Sequence, residues 1–279
     1  MRPVRDAIHL GSGEPVLLLH PFMMSQNVWK DVAPMLADTG RYEVYAPTMP
    51  GHNGGVKARM FLDTKELADD VERRMDELGW PTAHIVGNSL GGWVAFEMMR
   101  RGRARTLTAI APAGGWRHFS PVKFEIVAKF LLGFPVWIIA KLLGAGRVLK
   151  FPFTRWFASV PISATPQALP EADLPAILDD VTHCAAYYQL LVKALLLPGL
   201  QELANADAPT NLVLCEKDRV LPHPRFARQF IRELPADTVV TRMDRVGHIP
   251  MFEDPARTAA LITDFIEANR VPPAAEQPA

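Results

Sequence analysis

The chain has 279 residues, 49% of them hydrophobic and 22% charged, which suits one large globular domain, or a domain carrying an insertion, and excludes a disordered or fibrous chain. Its 30 basic and 30 acidic residues cancel, so no overall field draws it to nucleic acid, and a small or neutral ligand is the more natural partner. Cys184 and Cys215 lie far apart without metal-ligand spacing and read as buried apolar residues in a reducing compartment.

The opening MRPVRDAIHLGSGEP has no apolar core of signal-peptide length, so a cytoplasmic setting is expected. Compact apolar runs at 16–19, after a Gly-Ser-Gly-Glu-Pro turn, and at 42–46, after Gly40, read as buried strands. Between them, Val28, Val32, Met35 and Leu36 fall near helical spacing over 27–36. Over 64–78, Leu67, Val71, Met75 and Leu78 share one helical face, with Thr64 as the expected cap. Further strands are predicted at 84–86, 107–111, 212–215 and 238–243, and helices at 90–100, 224–233 and 255–268, the last capped by Asp254 and started by Pro255. This alternation predicts an α/β fold, a mostly parallel twisted sheet with helices on both faces.

The alternation stops at 115–205, a segment rich in Phe, Trp, Leu and Pro. An inserted helical cap accounts for it, dividing the core into residues 1–114 and 206–270, with a mobile tail at 271–279. The longest uncharged run in the cap, 130–140, is shorter than the roughly 20 residues of a membrane span. It contains Gly133 and Pro135, so two apolar helical segments joined there are expected. With Lys123, Lys129, Lys141, Arg147 and Lys150 in it, this region reads as a substrate lid, or else as a surface that touches lipid peripherally; the lid is preferred.

Gly87-Asn88-Ser89-Leu90-Gly91 matches G-x-S-x-G between a predicted strand and a predicted helix. A sharp turn there lifts the serine above the sheet, and glycines on either side remove β-carbons that would collide. The following helix aims its first amides at developing negative charge. A serine hydroxyl needs a base to take its proton and an acid to orient that base. LVLCEKDRVLP places Asp218 just beyond one strand, and VGHIPMFEDP places His248 in a loop after the next. Glu216 and Asp244 are set aside as weaker acids, His20 and His52 read as structural, and His183-Cys184 has no third partner for a thiol nucleophile or metal site.

With the order Ser89, Asp218, His248, and with HPFMMSQNVW at 20–29 and APTMPGHNGG at 46–55, the chain resembles the α/β-hydrolase superfamily over nearly its whole length. The resemblance implies Ser89 as nucleophile, Asp218 as acid, His248 as base, and an oxyanion hole from the amide of Leu90 and one from the His20-Pro21-Phe22-Met23 loop. Pro21 stands where glycine is usual and has no amide, which leaves Phe22, with Met23 as the fallback. Thr48 departs from the aspartate common in relatives, a change expected to touch loop support rather than chemistry. Met23, Trp137 and Ile249 are the candidate substrate contacts, and no cofactor or metal is implied.

The reaction expected is hydrolysis of a carboxylic ester through an acyl-enzyme. Serine at the nucleophile position disfavours dehalogenase-like and epoxide-hydrolase-like relatives, which use aspartate to form an alkyl ester. Phe124, Phe130, Phe134, Trp137, Phe151, Phe153, Trp156 and Phe157 suggest an apolar substrate region in the cap. GNSLGG also resembles carbon-carbon hydrolases of meta-cleavage products, the first alternative. A non-catalytic ligand-binding protein on the same fold is the second, disfavoured because all three triad positions are filled.

Overall fold

β1 (Ile8–Gly11), β2 (Glu14–Leu19), β3 (Tyr42–Ala46), β4 (Ala83–Asn88), β5 (Ala104–Ile110), β6 (Thr210–Cys215) and β7 (Val239–Met243) form one sheet ordered β1-β3-β2-β4-β5-β6-β7. β1 runs antiparallel to β3 and all other neighbours are parallel, with Leu17 beside Ile85, Val86 beside Thr108 and Ala109 beside Leu212. The computed structural model describes residues 3–60, 62–165, 169–200 and 202–270, with Val136 and Phe157 placed by backbone alone. The tail expected to be mobile, 271–279, lies outside them.

Side chains alternate across each strand, so the sheet buries two separate apolar layers. Val16, Leu18, Val44, Val86 and Val213 face α1 (Val32–Ala37) and α12 (Pro255–Ala268). Leu17, Leu19, Ile85, Leu107 and Leu212 face α2 (Thr64–Glu77) and α3 (Leu90–Arg100). The expected α/β architecture is therefore present.

Several local expectations need correction. β1 was not expected: its four residues are mostly exposed and too few to carry a strand pattern of their own, and it forms because β3 offers an open edge. The helix expected over 27–36 is a 3-10 turn, Gln26–Trp29, followed by α1, whose first turn holds Pro34 where a missing amide costs nothing. Asp63, not Thr64, caps α2, accepting the Glu66 amide at 3.0 Å. The helix expected over 224–233 is two, α9 (His223–Phe226) and α10 (Arg228–Glu233). Asp254 does cap α12, accepting the Arg257 amide at 3.1 Å.

Between β5 and β6 lie α4 (Val122–Leu143), α5 (Ala145–Val148), α6 (Pro152–Ser159), α7 (Leu174–Thr182) and α8 (Tyr187–Leu196). α4 is one helix, not two segments joined at Gly133 to Pro135. Pro135 is exposed, so water can bond the carbonyl that its missing amide leaves open, and Gly133 admits the Trp137 ring, which a β-carbon would approach to 2.5 Å. At 22 residues, α4 is also long and apolar enough by composition to cross a bilayer, which the uncharged run alone did not suggest.

Two carboxylates, one buried and one partly buried, fasten this segment to the core. Asp180 on α7 is 2% exposed and accepts from Asn53 Nδ2 at 2.8 Å, from Arg5 at 3.2 Å and from the Ser25 hydroxyl. Glu253 on α11 (Pro250–Glu253) accepts the Ala164 amide at 2.9 Å from above and the Gly247 amide at 2.7 Å from its own loop. Burial raises the pKa of both acids, and their donors hold them in place. Asp180→Ala is expected to lower stability by about 2–3 kcal/mol, because it strands buried donors. A lower urea midpoint checks this; an unchanged midpoint contradicts it.

Candidate active site

Four strand ends converge on one edge of the sheet. β2 leads into the His20 loop, β4 into Ser89, β6 into Asp218 and β7 into His248. Positive φ recurs at Met23 (64°), Ser89 (56°), Ala111 (42°) and Arg245 (64°), in the segments that follow β2, β4, β5 and β7. Such conformations cost a few kcal/mol and persist only where surroundings fix them.

At Ser89 the surroundings are explicit. Its φ of 56° and ψ of −113° turn the chain from β4 directly into α3. Its amide donates to the Ile110 carbonyl at 3.0 Å, and its carbonyl accepts from Ala113 at 2.9 Å and Trp93 at 3.1 Å. A β-carbon at Gly91 would lie 2.2 Å from the Leu19 carbonyl oxygen, and one at Gly87 2.2 Å from that of Gly91, so only glycine lets β2, β4 and α3 close here.

His248 Nδ1 lies 2.7 Å from Asp218 Oδ2. The other Asp218 oxygen accepts the amides of Val220 at 2.8 Å and Leu221 at 2.7 Å, so the carboxylate is fixed at both ends. A proton on Nδ1 then leaves Nε2 free to accept one. Both residues are buried, at 6% exposure for Asp218 and 3% for His248. Glu216 instead pairs with Lys217 and accepts the Arg245 amide, away from the imidazole. Asn88, which the motif leaves unspecified, donates to the Ile110 carbonyl at 3.0 Å and the His248 carbonyl at 3.1 Å. Its position just before Ser89 was the available signal, but its partner lies 160 residues away.

The loop after β2 is held by His20. The Met49 amide donates to His20 Nε2 at 2.9 Å, so Nδ1 carries the proton and donates to the Pro21 carbonyl at 2.8 Å. Burial pushes the pKa of the Cys184 thiol up to about 12, so it stays neutral. Both oxyanion candidates of this loop, Phe22 and Met23, border the cavity that holds Ser89. Thr48 donates to Gln26 Oε1 at 2.7 Å and accepts the Gln26 amide at 3.2 Å, which is loop support.

Two cavities meet at Ser89. One, of about 320 Å³, brings Met23, Trp137 and Ile249 together with Phe22, Ser89 and His248. The other, of about 250 Å³, is bordered by Leu90, Trp93, Trp116, Leu190 and Ala194. Of the cap aromatics expected to form the substrate region, Phe130 and Trp137 line a cavity and Phe134 stacks on Tyr187. Phe124, Phe151, Phe153 and Trp156 are at least half exposed instead, and the Phe157 side chain is outside the described set. Among the described residues no cluster of His, Cys, Asp or Glu has metal-binding geometry.

His20 and His52 stack edge to face at 4.8 Å, both buried and both neutral. Burial lowers the His52 pKa from 6.5 to about 4 and holds His20 well below 6.5. The unfolded chain therefore takes up these protons near pH 6.5 while the folded one refuses them until lower pH. Stability is full above pH 6.5 and is lost as pH falls towards 4, by up to about 1.4 kcal/mol per pH unit for each group. Urea unfolding across that range is expected to show a shallower loss in His52→Asn than in wild type; identical slopes contradict the assignment.

A sequence model for proteins described as the alpha/beta hydrolase family matches residues 16–261. The chain is 61% identical over 206 residues, covering 74% of it and 96% of the relative, to a protein named epoxide hydrolase EphH from Mycobacterium tuberculosis. It is 27% identical over 273 residues, covering 92% of it and 77% of the relative, to monoacylglycerol lipase abhd6-A from Xenopus laevis. A thermophilic esterase from Thermogutta terrifontis has the same fold, with a TM-score of 0.74 at 20% identity over 95% of this chain and 94% of that one.

Proposed function

The chain belongs to the alpha/beta hydrolase family and is a hydrolase of that kind; we propose that it is a serine hydrolase of carboxylic esters with an apolar acyl or alcohol part. The observation that carries this reading is a serine at the strained β4–α3 turn that borders one cavity with His248, whose imidazole is paired with the buried Asp218 behind it. In the proposed reaction Ser89 Oγ forms a bond to the ester carbon while His248 Nε2 takes its proton. The oxyanion is held by the amides of Leu90 and Phe22, and Asp218 stabilises the imidazolium. The alcohol leaves with the proton from His248. Water then attacks the acyl-enzyme, giving one proton to His248, which returns it to Ser89 as the acid is released.

The two cavities support an assignment of the two ester arms. His248 borders the cavity of about 320 Å³, so the alcohol it protonates departs there. The acyl chain then occupies the cavity of about 250 Å³ between Trp93, Trp116 and Ala194. Filling that space by Ala194→Trp is expected to cut kcat/KM for octanoyl esters roughly 10-fold, about the scale a few apolar contacts carry, with acetyl esters little changed. Equal loss on both contradicts the assignment.

Epoxide hydrolysis is the second reading, favoured by the name of the relative at 61% identity. Ring opening by Ser89 leaves an ether, which has no carbonyl for water to attack, so a covalent route ends after one turnover. The epoxide oxygen also needs a proton donor, and the Tyr187 hydroxyl beside Phe22 donates to the Phe130 carbonyl at 3.0 Å. Ester and epoxide hydrolysis measured in parallel for wild type, Ser89→Ala and His248→Ala separate the readings. Ester turnover falling by about 10³-fold or more in both variants is expected. Sustained diol formation without ester turnover sinks the ester reading.

A further inference from the structure

We propose that the outer side of α4 and the corner from α4 into α6 dock on the surface of an anionic lipid bilayer. This goes beyond the ester reading, because binding is scored without turnover. α4 runs about 33 Å at 1.5 Å per residue, and only 18% of its most apolar 18-residue stretch is buried. Phe124, Leu131, Ile138 and Leu142 recur at helical spacing along one solvent-facing side, with Leu132, Ile139 and Leu143 beside them. Its other side is committed to the protein: Ile126 and Ala140 are buried and Phe130 and Trp137 line the cavities. An apolar face this long on one side of a helix fixed to its domain fits a surface orientation rather than a span.

Charge identifies the partner. From Pro121 to Pro170 the one acidic residue is Glu125, which pairs with Lys129 and Arg225. Lys141, Arg147 and Lys150 are exposed around the corner where Leu142, Leu143 and Phe151 also face water. Basic side chains bordering exposed aliphatic and aromatic ones match lipid headgroups above acyl chains. A two-fold contact between copies of this chain would bring the same cations onto each other, which disfavours self-association here. The face also communicates with the site: Leu132 is 75% exposed and borders the cavity that holds Ser89 and His248. An apolar ester drawn from a bilayer would enter there.

The test is co-sedimentation of the full chain with vesicles of phosphatidylcholine, with and without phosphatidylglycerol. Wild type and Ser89→Ala are expected to bind the anionic vesicles equally at low salt. Binding should weaken roughly 10-fold or more on neutral vesicles or in high salt. Ile139→Glu/Leu142→Glu and Lys141→Glu/Lys150→Glu should each lose a similar factor while keeping wild-type hydrolysis of a short soluble ester. No binding, equal binding to both vesicle types, or full binding by both double variants overturns the proposal. So does wild-type dimerisation, without vesicle binding, that Ile139→Glu/Leu142→Glu abolishes. Vesicle binding with no ester hydrolysis would leave docking standing and remove the ester reading.

Discussion

The backbone conformation imposed on Ser89 is the constraint on which the rest of the site depends. A residue with φ of 56° and ψ of −113° does not hold that shape alone. It is held by hydrogen bonds to Ile110 and Ala113 and by glycines that let β2, β4 and α3 approach at backbone distance. The same turn also positions His248, because Asn88 at the end of β4 donates to its carbonyl. Ser89 and His248 are thus positioned by one hydrogen-bonded unit at the centre of the sheet.

The helical segment between β5 and β6 is joined to that unit through polar contacts that the apolar layers do not supply. Asp180 gathers Arg5, Ser25 and Asn53 from three core segments, while Glu253 ties Ala164 to the loop that carries His248. Arg219, next to Asp218, donates to the carbonyls of Val160 at 3.1 Å and Ser163 at 3.3 Å. Asp218, His248 and the α4–α8 segment therefore share supports, and a change in the seating of that segment reaches the loops of Asp218 and His248 through short paths. Inward, the cap divides the space above Ser89 into two apolar arms; outward, it leaves a long aliphatic face bordered by cations.

What was legible in the sequence is what is local. The runs that became β2 to β7 each carry their own apolar pattern, and α3 begins and ends where the spacing predicts. The G-x-S-x-G turn and the ordered Asp218 and His248 were readable because each sits just past a recognisable strand. β1 was hidden because only its pairing with β3 makes it a strand. α4 was misread as two segments because Pro135 looks like a break until its exposure is known. Asp180, Asn88 and Glu253 were missed because their partners lie 155, 160 and 89 residues away in sequence. Eight aromatics of this segment were offered for a substrate region, and Phe124, Phe151, Phe153 and Trp156 face water instead, because composition does not say which way a side chain faces.

Similarity to a protein named epoxide hydrolase and a serine at the β4–α3 turn point in different directions, and under the proposed reading the serine sets the covalent route. A carbonyl substrate lets Ser89 be regenerated by water, whereas an epoxide does not. The most direct measurement is peptide mapping by mass spectrometry after exposure to a fluorophosphonate, which reacts covalently with an activated serine. A single adduct on the Ser89 peptide, growing in proportion to the loss of ester hydrolysis, is the predicted result. Full hydrolysis with Ser89 unmodified, or loss of activity that tracks an adduct elsewhere, would contradict the account.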